Sequence, residues 1–258
     1  MLKCSVFSLL FLLAGCGEDR TTASTIPVAE DTVLIPPFYK SIDDIKTPPG
    51  FTRIAGEENS FMGWLRNIPL KKDKTVYLYN GTKKRNQAAQ FAVIDIPVGN
   101  KDLQQCADAV MRLRAEYLFN YKQYPAIAFM DYAGKWYKWS GGDNRKGFDN
   151  YLQTVFGWCG SASLEKQLKT VADFTSIKPG DVLVQGGFPG HAVIVVDMAT
   201  NKEGKKIYML AQGYQPAQDM HVLVNPDHPG LSPWYAVDEE GDINTPEWTF
   251  NRSNLKTW

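Results

Sequence analysis

The sequence predicts an α+β fold, with a mostly antiparallel sheet and helices packed against it. Three observations predict it. The apolar runs Val182–Val184, Ala192–Val196 and Ile207–Ala211 are separated only by Gly-, Pro- and polar-rich connections. Short β-branched runs bounded in this way read as buried strands joined by tight turns. Between residues 103 and 119, Leu103, Cys106, Ala107, Val110, Leu113 and Tyr117 recur at helical spacing and mark one apolar face. At 258 residues and 44% apolar content, the chain has enough material for a sizeable core.

The N-terminus reads as an export signal over residues 1–15. Lys3 supplies the positive region, and the apolar run Val6–Leu13 is far short of a bilayer span. Leu13-Ala14-Gly15-Cys16 resembles the lipobox of bacterial lipoproteins. That resemblance implies cleavage before Cys16, lipid attachment to its sulfur, and anchoring to a membrane by two or three acyl chains. Gly17 after the cysteine implies an outer-membrane address facing the periplasm in a Gram-negative cell. Residues 16–45, with scattered Thr, Ala and Pro, read as a tether, and residues 46–258 as one globular domain. Lys and Arg total 28 against 28 Asp and Glu, with no basic cluster. Nucleic-acid binding is therefore not expected.

Along the domain, Val76–Asn80 reads as a strand closed by an Asn80-Gly81 turn, and Phe91–Ile96 as another strand. Asn100 or Asp102 is placed to cap the helix Leu103–Phe119. In Trp136-Tyr137-Lys138-Trp139, two tryptophans precede a Gly turn and Arg145. Trp136, Trp139 and Arg145 are candidates to stack on a sugar and clamp a carboxylate; the competing reading is a hairpin whose rings pack on the sheet. Phe148–Phe156 reads as a helix, and a second one follows from Ser161 to about Val171.

The centre of the chain is Lys178–Asp197. His191 opens its second strand beside the loop Gly186-Gly187-Phe188-Pro189-Gly190. A rigid strand end next to a loop suits a catalytic imidazole, and it equally suits a core histidine satisfied by a neighbour. If Asp197 lies opposite Lys206, His191 faces Gln212, whose amide can orient the ring. Cys159 lies just before the helix that starts at Ser161, where orphan amides favour a thiolate. Its competing reading is a buried cysteine at a helix corner. Cys106, on the apolar helix face, reads as a small buried hydrophobe. With Cys4 removed and Cys16 lipidated, Cys106 and Cys159 can pair in an oxidising compartment, and a paired Cys159 is no nucleophile. Three scattered histidines give no metal-ligand spacing, and no cofactor motif is present.

Leu103–Tyr117, Pro179-Gly180-Asp181-Val182, the run Pro189–Asp197 and Pro216-Ala217-Gln218 resemble a family of bacterial lipoproteins known as domain of unknown function 4846. The resemblance covers most of the chain from Gly50-Phe51 onward and implies no established activity. A more distant resemblance links the Pro-Gly-Asp turn, the apolar strand and the strand-opening His to NlpC-type, papain-like cell-wall peptidases. It implies a papain-like core with an N-terminal extension, Cys159 as nucleophile, His191 as base and Gln212 as the orienting residue. The function expected is a cysteine amidase or peptidase acting on envelope peptides. The alternative is a non-catalytic binding protein for envelope glycan or peptidoglycan peptides on the same scaffold.

Overall fold

The computed structural model of the chain describes residues 38–258. The expected signal peptide, Cys16 and most of the expected tether lie outside the described residues. The folded body already includes residues 38–45, which the sequence reading assigned to the tether. Ile42 and Ile45 are buried, and their carbonyls accept hydrogen bonds from Arg53. Two isolated isoleucines carry no periodicity, so nothing local marked them as core.

In chain order the elements are β1 (Thr52–Arg53), α1 (Phe61–Arg66), β2 (Gln90–Val93), α2 (Cys106–Asn120), β3 (Ala128–Met130) and β4 (Trp136–Lys138). They continue with α3 (Arg145–Trp158), α4 (Ser161–Gln167), β5 (Lys169–Thr170), β6 (Val182–Gln185), β7 (His191–Thr200) and β8 (Lys206–Gln212). Last come β9 (His221–Leu223), β10 (Trp234–Ala236), β11 (Ile243–Asn244), β12 (Thr249–Phe250) and β13 (Leu255–Thr257). The fold is α+β. A nine-stranded sheet runs β2-β9-β8-β7-β6-β13-β5, with β1 added to β7 and β10 to β8. Every pairing in it is antiparallel.

Two core clusters occupy opposite faces of this sheet. Ala192, Ile194 and Val196 pack with Val110 and Leu113 of α2, whereas Val193 and Val195 pack with Phe174, Phe250 and Leu255. This is why Ala192–Val196 has no polar alternation: both faces of β7 are covered.

Several local expectations change. Val76–Asn80 forms isolated bridges from Tyr77 to Lys83 and from Leu78 to Gln218 rather than a strand, although Gly81, at φ +81°, does close the turn. The helix expected from Leu103 starts at Cys106. Asp102 does not cap it. Its carboxylate accepts instead from the Ala217 amide, and Asp108 accepts from the Gln105 amide at the helix start. The helix expected to run to Val171 ends at Gln167, because Lys169–Thr170 pairs with β13.

Asp197, fully buried on β7, binds the guanidinium groups of both Arg53 and Arg66 at 2.6 Å. This ties β1 and α1 to the central strand. Removing one member of such a buried set costs about 3–5 kcal/mol, because the remaining charges lose their partner. Asp197→Ala is expected to lower the unfolding free energy by that amount in a guanidinium titration. A loss below about 1 kcal/mol would mean that the arginines find solvent instead.

Candidate functional site

His191 and Gln212 meet, though not through the expected register. Lys206 lies opposite Thr200, not Asp197, and β7 carries a bulge between Val195 and Asp197. Beyond the bulge the register is Ile194 to Ala211, which continues to place Tyr214 opposite His191 and Gln212 diagonal to it on the same face. The rings of His191 and Tyr214 accordingly make an edge contact at 5.0 Å. Without the extra residue, Gln212 would lie opposite Ile194 and point to the α2 face.

The Gln212 side chain is the hub of a buried polar network. Its Oε1 lies 2.8 Å from His191 Nε2, and its Nε2 lies 2.7 Å from Glu247 Oε2 and 3.2 Å from His221 Nε2. His221 Nδ1 lies 2.9 Å from the Asp219 carbonyl, so it must donate there, which leaves Nε2 to accept from Gln212. The Glu247 carboxylate fixes the amide orientation, and His191 therefore donates from Nε2. Glu247 also holds the buried ammonium of Lys84 at 2.5 Å. Trp248 and Phe250 complete the cover over the imidazole, with ring centroids 5.4 and 5.8 Å away. His191 is 1% exposed. Burial pushes its pKa down to about 4 and that of His221 to about 3, so both rings are neutral near pH 7.

Cys159 does not join them. It packs in the α2-side cluster, whereas the His191 ring stacks on Phe250 of the other face. Cys159 terminates α3, and its amide donates to the Val155 carbonyl at 2.7 Å. The carbonyl-rich end of a 14-residue helix disfavours a thiolate, which outweighs the seven-residue α4 that follows. Burial, then Asp108 and Asp131, push its thiol up to about 12. The sequence reading ended the preceding helix at Phe156 and weighed only α4's start against Cys159, whereas α3 runs on to Trp158.

The thiol at a long helix N-terminus is Cys106, which sequence reasoning left as core filler. It is the first residue of the 15-residue α2. The backbone amides of Ala107, Ala192 and Cys106 all favour its thiolate, but burial and the neighbouring Asp108 prevail and raise it to about 11. A helix start three residues later than Leu103 was the missing signal. Cys106 and Cys159 are both free thiols.

Both cysteines line a cavity of about 490 Å³ between α2, the α3–α4 junction and the loop from Gly187 to Gly190. His191 does not line it. Tyr132, Trp158 and Phe188, at 68%, 66% and 103% exposure, stand around it. They are three of the five large hydrophobics exposed among the described residues, so this is where unpaid apolar exposure concentrates.

The trio Trp136, Trp139 and Arg145 forms no common surface. Trp139 packs on Phe148 and Tyr151 at 5.6 and 5.7 Å and donates its indole N–H to the Gly142 carbonyl. Arg145 is taken up by Glu116 and Asp149. Trp136 is exposed, on the β3–β4 hairpin. The hairpin of the competing reading forms, but its tryptophan rings do not pack on the sheet: Trp136 is exposed and Trp139 lies against α3.

A model of the family described as domain of unknown function (4846) matches residues 42–146 and 131–257. No curated protein and no solved structure matches the chain.

The two buried imidazoles set a pH dependence of stability. Their folded-state pKa values lie below the ordinary 6.5, so their contribution is complete above pH 6.5 and is lost as pH falls toward 4 and 3. Between pH 7 and pH 5 the pair should cost roughly 3–4 kcal/mol of unfolding free energy. Urea unfolding at pH 7, 6 and 5 measures this. An unchanged midpoint over that range would show that the rings protonate freely in the folded state.

Proposed function

The chain belongs to the family described as domain of unknown function (4846), a membership that fixes no chemistry, and from the geometry we propose a non-catalytic binding protein of the cell envelope. In this reading a lipid on Cys16 tethers the body to a membrane. The cavity between α2 and the α3–α4 junction takes peptidoglycan peptides or glycan. One observation carries the reading: the exposed aromatic side chains converge on a cavity that the buried imidazole does not reach. Rings with an exposed apolar face and little conformational entropy to lose are suited to holding sugar rings or peptide planes. Both thiols at the cavity are held protonated, and the base a hydrolase would require is sealed on the opposite face of the sheet.

One observation favours a second reading, a cysteine amidase of papain-like type acting on envelope peptides. The backbone amides of Ala107, Ala192 and Cys106 favour the Cys106 thiolate, the form in which sulfur attacks a carbonyl. In that chemistry Cys106, rather than Cys159, forms the sulfur–carbon bond while the carbon–nitrogen bond breaks. The thiol proton leaves with the amine, and water then cleaves the thioester to the acid and restores the thiol. His191, oriented by Gln212, would have to turn toward α2 to carry the proton.

Titration of soluble peptidoglycan fragments into the purified body, followed by tryptophan fluorescence and then by mass spectrometry of the recovered fragments, separates the two. Binding is expected to weaken at least about tenfold in Trp158→Ala, with fragments returned uncut by wild type and Cys106→Ala alike. Cleavage products that disappear in Cys106→Ala and persist in Cys159→Ala would establish the amidase. Absence of any binding would remove both readings.

A further inference from the structure

We propose that the aromatic-rimmed cavity is a receptor for an alkylammonium group, with Asp108 as its counter-charge and Trp158 and Phe188 as its walls. The proposal deepens the binding reading above and rests on it for the identity of the larger ligand.

Charge is the first argument. Asp102 and Asp108 line the cavity, and no lysine or arginine does. The last turn of α3, including Gly157 and Trp158, lines it as well. The carbonyl end of a helix favours positive charge. The positive end of α2 on the other wall is already answered, since Asp108 accepts from the Gln105 amide at 3.1 Å.

The second argument is an incomplete side chain. Asp108 is 6% exposed, and its Oδ1 has no hydrogen-bond partner. Two of the four other buried aspartates hold a cation. Asp197 holds two guanidinium groups, and Asp219 holds the Lys71 ammonium at 2.9 Å. Asp108 has no such partner, and burial drives its carboxyl well above the usual range. A buried carboxyl of this kind gains most from an incoming cation.

The third argument is the rim. Aromatic faces attract ammonium groups through their quadrupole, most strongly when several surround the cation. Tyr132 already has the Lys166 ammonium over its ring at 4.9 Å, so one of the three rings is in use for this purpose. Trp158 and Phe188 are the rings left for a ligand. An aliphatic stem lies against them while its charged end reaches Asp108.

The test compares three five-carbon probes of one length, pentylammonium, 1-pentanol and pentanoate, each titrated calorimetrically into wild type, Phe188→Ala, Trp158→Ala and Asp108→Asn. Pentylammonium is expected to bind at least tenfold more tightly than pentanol, with pentanoate weakest. Phe188→Ala and Trp158→Ala should each lower the pentylammonium affinity about fivefold at unchanged melting temperature. Asp108→Asn should abolish the preference over pentanol. Because Asp108 also holds the start of α2, the two surface variants keep the test decisive if that variant does not fold. Pentanol binding as tightly as pentylammonium, or pentanoate binding best, overturns the proposal. Envelope fragments that bind equally well with their amines acetylated would overturn it while leaving the binding reading intact. Pentylammonium binding without any fragment binding would do the reverse.

Discussion

The structure depends on one constraint: β7 has no solvent face. From His191 to Ala199 every residue is buried, so the strand must be covered on both sides and along both edges. α2 with α1 supplies one cover, and the segment from Phe174 together with the C-terminal residues supplies the other. Strands β6 and β1 share one edge, and β8 runs along the other. A strand of this kind cannot tolerate an unpartnered charge, which is why its one acid, Asp197, is clasped by two arginines from segments far away in the chain.

The same constraint shapes the polar hub. Two imidazoles, an amide, a carboxylate and an ammonium are taken from water together, and each side-chain group bonds another in the set. Completeness of this kind makes a buried network rigid. The bulge in β7 is what permits it, by turning Gln212 to the face of His191. A polar cluster so well satisfied and so closely covered is a frame. Asp108 Oδ1, which has no partner, and the exposed rings around its cavity lie across the sheet from it.

Much of this was legible in the residues. The α+β class, the strands on either side of the Gly-rich loop, α2 and the α3 helix all follow from apolar runs and their punctuation. His191 and Gln212 were also paired correctly, but through a register three residues out at Asp197, rescued because the bulge preserved which face each occupies. What failed had a common cause. Val76–Asn80, the start of α2 and the end of α4 were decided by partners distant in sequence: Gln218, Ala217 and Lys256. Local pattern carries no information about these. The site suffered most, since a shift of three residues in one helix start changed which cysteine stands at a helix N-terminus.

The position of β13 has a consequence for assembly. Leu255–Thr257 inserts between β6 and β5, so a bond ladder near one end of the sheet is completed by the last of the described strands in chain order. Until then β6 keeps one bare edge, and Leu183 lacks the neighbour Leu255. Such late, long-range closure slows folding and leaves a sticky intermediate exposed during synthesis. The nascent domain therefore remains open along one seam until all its other described strands have been made.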